Sequence, residues 1–217
     1  MLHSIVLSLQ VATIATALAV IFGTALGAVL ARTRLAWLVV LEIILSLPMV
    51  FPPSVTGYYL VLLFGRNGLL GGPLYALTGF QFTFHPAGAV LAAAVVSFPL
   101  MLLSARAAIQ QVDPDLEKAA YTLGRSRWIV FWRITLPLAW RGLAAGAVLT
   151  FARALGEFGA TLMMAGNQQT MPLAIYRAWM AEGTSAAMGL VAAHTVLAVC
   201  ILALALYVGR RYGRVPS

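Results

Sequence analysis

Long apolar stretches alternate with short polar segments along almost the whole chain. Stretches without any Asp, Glu, Lys or Arg cover residues 1–31, 43–65, 67–105, 158–176 and 183–209. About 20 consecutive apolar residues are enough to cross a bilayer as a helix. The pattern therefore predicts about five transmembrane helices, at approximately residues 4–31, 36–63, 86–108, 140–164 and 186–209.

The composition agrees with a protein that has lipid as its main solvent. Hydrophobic residues make up 62% of the 217 residues and charged residues only 9%, whereas a soluble domain carries about 25% charged residues. A soluble core cannot absorb so much apolar surface. We therefore predict an all-α membrane protein in which residues 1–217 form a single transmembrane domain.

The basic residues lie mainly on one side of the predicted membrane. The formal net charge is +8, which in a soluble protein would point to nucleic acid, but the distribution excludes that partner. One side is predicted to hold Arg32, Arg34, Arg106, Lys118, Arg125, Arg127, Arg133, Arg141, Arg210, Arg211 and Arg214. The opposite loops hold Arg66 and Arg177. The positive-inside rule predicts a cytoplasmic C-terminus and an N-terminus outside.

No part of the sequence has the pattern of an enzyme site or a metal site. The phosphate-binding pattern G-x-x-x-x-G-K-[ST] is absent, so any ATP hydrolysis must come from another subunit. The three histidines are far apart along the chain, and Cys200 is the single cysteine. We predict no catalytic residue, no metal and no cofactor.

The central polar stretch, residues 110–139, is predicted to contain a short amphipathic helix. Asp113 can cap its start, with Pro114 at the first helical position and Gly124 just past its end. An apolar stripe follows the helical spacing i, i+3, i+4 and i+7 and consists of Leu116, Ala119, Ala120 and Leu123. A second amphipathic piece is expected to end at Pro137, where the fourth transmembrane helix begins at a new angle. Such an element either lies on the anionic inner leaflet or presents its stripe to a soluble partner.

This stretch resembles the cytoplasmic EAA motif of ABC importer permeases, which reads E-A-A, three residues, G, nine residues, I, one residue, L-P. The motif positions are occupied, with every spacing kept, by Ala119, Ala120, Gly124, Ile134, Leu136 and Pro137. Lys118 stands where the motif has its glutamate, and Glu117 precedes it. The resemblance implies that this helix couples the chain to an ATP-binding subunit through these eight residues.

Two further stretches are similar to the molybdate branch of these permeases, namely residues 47–71 and residues 151–167. Sulfate permeases share much of the second stretch. The resemblance implies a type I ABC importer permease fold and a homodimer with two cytoplasmic ATP-binding subunits and an external oxyanion-binding protein. Molybdate is the expected substrate, with sulfate, thiosulfate or tungstate as alternatives. A secondary transporter or channel without an ATPase is the rival, but such transporters are often built from repeats, and the two halves show none.

Prolines interrupt the predicted second transmembrane helix at Pro48, Pro52 and Pro53. Irregular backbone at membrane depth is tolerated beside protein or water, so this break predicts a translocation pathway. Pro52 and Pro53 are predicted to shape this pathway, and donors to a passing oxyanion are expected just after them, from Ser54, Thr56, Gly57 and Tyr58. A kink that only shapes packing is the alternative.

Ionisable residues inside the predicted membrane spans should be paired, because a lone charge there is expensive. Arg153 and Glu157 are four residues apart and are expected to form an ion pair on one helix. The pair either holds the bundle together or lines the anion path. Glu42, near the end of a span, is expected to snorkel or to pair with Arg34. The spacing of small residues at Gly23-x-x-x-Gly27 and Gly142-x-x-x-Gly146 favours close helix packing, within the chain or between two copies.

Overall fold

The fold is entirely helical over the residues that the computed structural model describes, which are 1–33 and 35–212, with side chains up to residue 203. The helices are α1 (Leu2–Arg32), α2 (Ala36–Val50), α3 (Pro53–Phe64), α4 (Gly71–Thr78), α5 (Pro86–Gln110), α6 (Pro114–Thr122), α7 (Arg127–Val130), α8 (Leu136–Leu155), α9 (Gly159–Met164), α10 (Met171–Glu182) and α11 (Thr184–Tyr212). A π-helical segment, Phe131–Thr135, joins α7 to α8. The predicted all-α class is confirmed.

The described helices supply four long apolar spans and one interrupted span. Leu2–Arg32, Pro86–Gln110, Arg127–Leu155 and Thr184–Ala203 are each long and apolar enough to cross a membrane. The predicted second span is divided into α2 and α3, because a residue that precedes proline avoids helical angles. Phe51 and Pro52 accordingly have extended backbones, and Pro53 begins α3. Pro48, by contrast, lies inside α2 and does not end it.

The predicted fourth span, residues 140–164, is wrong at both ends. The span begins at Arg127 and runs through the π-helical segment into α8, so the amphipathic piece that was expected to end at Pro137 is the first part of this span. Pro137 lies in the first turn of α8, and the preceding Leu136 N–H bonds five residues back to the Phe131 carbonyl. This wider turn accommodates the missing proline N–H. At the other end the helix stops at Leu155, and α9 starts separately at Gly159.

The two segments predicted as outer loops contain helices of their own. Residues 65–85 include α4, which ends at Gly79 with a left-handed φ of 70°. Residues 165–185 include α10, which ends at Gly183 with φ 84°. Glycine adopts these angles without the steric cost that other residues meet, so the turn signals in the sequence mark the ends of short helices.

Helix α5 lies at the centre, with α1 and α8 packed closely against it. A Cβ on Gly27 of α1 would lie 2.8 Å from Ala105 Cβ, and one on Gly146 of α8 would lie 2.5 Å from Ser104 Cβ. Both pairs of spaced glycines therefore pack within the chain, which was one of the two options. In α5, 50% of the apolar window is buried, against 6% in α11. Helix α11 is thus a peripheral helix with most of its described surface uncovered.

Candidate functional site

The two interrupted helices meet each other, and we call their meeting place the junction, formed by residues 51–57 and 153–161. Helix α3 packs along α9 at glycines on both sides. A Cβ on Gly57 would lie 2.8 Å from Ala160 Cα, and a Cβ on Gly159 would lie 2.8 Å from Pro53 Cβ. The two backbones are in direct contact, so a larger residue at either position would force them apart.

Glu157 lies in the break between α8 and α9 and uses both carboxylate oxygens. Its Oε1 accepts a hydrogen bond of 2.8 Å from the Ala160 N–H, which satisfies a free donor of the first turn of α9. Its Oε2 lies 2.7 Å from Arg153 Nη1 in the last turn of α8. The two residues form an ion pair, but they do not share one continuous helix. The glutamate is therefore the side chain that joins the two half-helices.

The arginine of this ion pair is partly exposed, whereas the glutamate is buried. The Glu157 side chain is 2% exposed, whereas the Arg153 side chain is 35% exposed. The contact is an ion pair without hydrogen-bond alignment, and a guanidinium carries five N–H donors. Arg153 therefore keeps donors on its exposed side that can meet an anion.

Two buried threonine hydroxyls accompany the junction. Thr56 on α3 is 4% exposed and Thr161 on α9 is 1% exposed, and neither hydroxyl has a hydrogen-bond partner among the described residues. Thr150 on α8 differs, because its hydroxyl donates to the Gly146 carbonyl at 2.7 Å. Of the predicted pathway residues, the structure buries Thr56, Gly57 and Glu157 and exposes Pro52, Pro53 and Ser54. Thr161 was not predicted from the sequence, although its place shortly after Glu157 and Gly159 was an available signal.

Helix α6 lies at the bundle end formed by Arg32, Gln110 and residues 112–135, which we call the basic end. Asp113 caps the helix, since its Oδ1 accepts a hydrogen bond of 2.9 Å from the Asp115 N–H. Gly124 follows the last turn with φ 78°, and the Arg125 N–H reaches the Ala120 carbonyl at 3.1 Å. Together with the bond of 2.9 Å from the Gly124 N–H to the Tyr121 carbonyl, this bond forms a Schellman motif. Both predicted ends of the helix are confirmed.

Large apolar side chains on and after α6 are exposed. Leu123 is 79% exposed, Trp128 69% and Leu116 48%. Within the motif, Lys118, Ala119, Gly124 and Pro137 are exposed, Ile134 and Leu136 are half-buried, and Glu117 and Ala120 are buried. The predicted stripe is thus mostly uncovered by this chain. Such a surface typically belongs to an interface.

The two neighbouring charged residues of α6 have different surroundings. Lys118 donates a hydrogen bond of 2.7 Å to Asp115, whose carboxylate raises the pKa of the lysine, so it stays charged at neutral pH. Glu117 is buried, and its Oε1 accepts hydrogen bonds from Arg32 Nη2 at 2.9 Å and Thr135 Oγ1 at 2.7 Å. Neither partner was predicted from the sequence, because they lie 85 and 18 residues from Glu117.

The comparisons with known proteins agree with this architecture. Residues 19–214 match the family described as the inner membrane component of binding-protein-dependent transport systems. The chain belongs to this family. The resemblance proposed from the sequence is therefore confirmed, and the protein is a multi-pass membrane permease.

Individual relatives and a solved structure show how similar the chain is to particular transport proteins. The permease is 46% identical over 178 residues to the molybdenum transport system permease protein ModB of Escherichia coli, covering 80% of this chain and 78% of that protein. It is 34% identical over 211 residues to the sulfate transport system permease protein CysW of Synechocystis, covering 95% and 76%. A chain of the MetNI methionine ABC transporter matches with a TM-score of 0.74 at 16% identity, covering 97% and 93%. The type I ABC importer permease fold is confirmed.

Charged residues elsewhere in the permease also have defined contacts. Glu42 on α2 forms an ion pair with Arg106 on α5, whereas its predicted partner, Arg34, lies outside the described residues. At the other end of the bundle, the Arg66 guanidinium lies 4.5 Å from the centre of the Tyr75 ring. Arg177 donates to the Gly166 carbonyl and so ties α10 to the segment after α9.

Proposed function

We propose that this permease is the transmembrane subunit of an ATP-driven ABC importer that carries an oxyanion across the cytoplasmic membrane, and that the oxyanion is molybdate. The identity to a molybdenum permease is 46%, against 34% to a sulfate permease. The family itself serves transport systems that depend on a binding protein. Tungstate, sulfate and thiosulfate are the competing substrates, and uptake competition separates them.

The observation that carries the proposal is the exposed stripe on α6. A capped helix with large uncovered apolar side chains fits a groove on a soluble protein. We assign that protein as the ATP-binding subunit. The coupling surface then comprises the exposed motif residues together with Ile134 and Leu136, while Glu117 and Ala120 hold the helix in place. ATP hydrolysis belongs to the partner.

The proposed assembly is a homodimer of permease subunits with two ATP-binding subunits and an external oxyanion-binding protein. One chain supplies few helices, and these make a thin wall for a pathway, so a second copy completes it. The basic end faces the cytoplasm, in line with the positive-inside rule. Residues 1–217 then act as one transmembrane domain with the N-terminus outside and the C-terminus inside.

The proposed oxyanion path runs past the junction. Arg153 offers a partly exposed positive charge, and the hydroxyls of Thr56 and Thr161 have no partner among the described residues. Hydroxyl and guanidinium donors suit an oxyanion. The exposed Ser54 adds a further hydroxyl donor, and Pro52, Pro53, Gly57 and Glu157 shape this part of the path.

The proposal is tested by reconstitution into vesicles. The permease is combined with the ATP-binding subunit from a neighbouring gene and with a molybdate-loaded binding protein. We expect molybdate uptake only when both partners and ATP are present, with competition by tungstate stronger than by sulfate. Uptake by the permease alone would instead support a channel or secondary transporter. Uptake of sulfate in preference to molybdate would overturn the substrate assignment.

A further inference from the structure

Helix α6 is held to the transmembrane bundle by very little buried surface. Of its nine residues, Glu117 and Ala120 are buried. Its other contacts are chiefly with the nearby segment Arg127–Thr135. Alanine buries a single methyl group, so the main attachment of the helix is the Glu117 carboxylate.

One oxygen of Glu117 joins three elements of the fold. Its Oε1 receives Arg32 Nη2, at the last residue of α1, and Thr135 Oγ1, directly before α8. The same Arg32 nitrogen donates to the Val112 carbonyl at 3.0 Å, one residue before the cap of α6. Hydrogen bonds to an ionised carboxylate are shorter and stronger than neutral ones. The start of α6 is therefore fixed to both α1 and α8.

The orientation of Glu117 argues against a contact with a soluble partner. Its side chain is 11% exposed and already receives two donors. Lys118, the next residue, has a side chain that is 71% exposed. Since the two side chains leave the helix in different directions, a partner that covers the exposed stripe meets the lysine and not the glutamate.

We propose that Glu117 is a positioning residue that locks α6 to α1 and α8, so that displacement of α6 by the ATP-binding subunit reaches the transmembrane helices. The inference rests on the proposed role of α6 in coupling. The helix Arg127–Leu155 is continuous, and its last turn carries Arg153 of the junction. A push on α6 is thus delivered along one helix to the proposed path, and without the lock ATP is hydrolysed with less transport.

The test measures ATP hydrolysed per molybdate imported, in vesicles that hold the full complex. Three variants weaken the lock: Glu117→Gln, Arg32→Gln and Thr135→Val. We expect each to raise the ratio on the order of threefold or more, since single changes along a coupling network alter coupling by several-fold. The ATP-binding subunit should still copurify. Thr135→Ser keeps the hydroxyl that Thr135→Val removes, so its ratio should equal that of the parent protein.

The matched control is Glu42→Gln, which removes a second glutamate–arginine pair near the same end but does not involve α6. If the Glu117 contacts only stabilise the fold, Glu42→Gln and Glu117→Gln should both lower the yield, and neither should change the ATP hydrolysed per molybdate imported. An unchanged ratio in all three lock variants would overturn the proposal. So would loss of the ATP-binding subunit in Glu117→Gln but not in Arg32→Gln, because that result would make the glutamate a direct contact. If the ATP-binding subunit still copurifies normally with Leu123→Ser, the proposed docking role of α6 is wrong, whatever the ratio in the three lock variants.

Discussion

The junction buries polar side chains, whereas helix α6 exposes large apolar ones. The junction buries a carboxylate and two threonines between backbones that touch at glycines. Its contacts are therefore all made within one chain. Helix α6 leaves leucines in the open and buries a glutamate instead. A buried site is sensitive to changes that destabilise the fold, whereas an uncovered stripe is sensitive to changes that affect a partner. Substitutions in the two regions should therefore differ in whether stability or partner binding is lost.

The largest loss of stability is expected for Glu157→Gln. Glutamine can still accept the hydrogen bond from the Ala160 N–H, so the change removes the charge and keeps the cap. Removing one partner of a buried pair costs about 3 to 5 kcal/mol, and we expect about 3 kcal/mol here because Arg153 is 35% exposed. Folded yield in detergent and the midpoint of thermal unfolding measure the loss.

The matched control for Glu157→Gln is Glu182→Gln, at the exposed end of α10, which should be nearly neutral. The double variant Arg153→Gln with Glu157→Gln should recover much of the yield, because no charge is left without its partner. It should import molybdate slowly if Arg153 attracts the anion. Equal yields for Glu157→Gln and Glu182→Gln would refute the view that the junction depends on this pair.

A smaller loss is expected for Gly57→Ala. The added Cβ would lie 2.8 Å from Ala160 Cα, and backbone cannot move aside as a flexible side chain can. Overpacking of this kind costs about 1 to 3 kcal/mol. Gly189→Ala on α11 is the control, since a Cβ there meets nothing within 4 Å and alanine favours a helix. Thermal unfolding should separate the two variants, and identical midpoints would mean that α3 and α9 do not need this contact.

The same contrast explains how far the sequence predicts the structure. The ends of α6 follow from Asp113 and Gly124, because caps act within a few residues. The break after Leu155 does not, because it depends on a Glu157 side chain that bonds to Ala160 and on packing against a distant helix. A continuous apolar pattern cannot distinguish one long helix from two that meet at a buried carboxylate.

Long-range polar contacts were also beyond the sequence analysis. The spacing of four residues indicated that Arg153 and Glu157 could meet, and they do. The contact between Arg32 and Glu117 spans 85 residues and has no local signal. The motif placed Glu117 among the coupling residues by its position, whereas burial separates it from its exposed neighbours. Spacing predicts pairs on one turn of helix, and tertiary packing decides the rest.

A local loss is expected for Gly124→Val. The residue has φ 78°, and a left-handed backbone costs a residue with a Cβ about 1 to 2 kcal/mol, with β-branched residues the least suited. The change should loosen the end of α6 and weaken binding of the ATP-binding subunit. The control is Gly79→Val, which has φ 70° and lies at the other end of the bundle, with equally open space around it. Equal copurification of the ATP-binding subunit with both variants would show that the geometry of α6 is unimportant for docking.

The smallest effect on stability is expected for Leu123→Ser, which tests α6 as an interface. The side chain is 79% exposed, and a substitution at such a position usually changes stability by less than about 0.5 kcal/mol. Leu77→Ser on α4 is its match, because Leu77 is 85% exposed and lies in a segment predicted to face the other side of the membrane. Thermal unfolding should not distinguish either variant from the parent protein.

Binding of the ATP-binding subunit should distinguish the two variants, because a leucine that becomes buried only in the complex contributes its apolar surface to affinity alone. We expect weaker copurification for Leu123→Ser and normal copurification for Leu77→Ser. If both variants bind normally, the exposed stripe is not the docking surface, and the partner of α6 must be sought in the lipid headgroups instead.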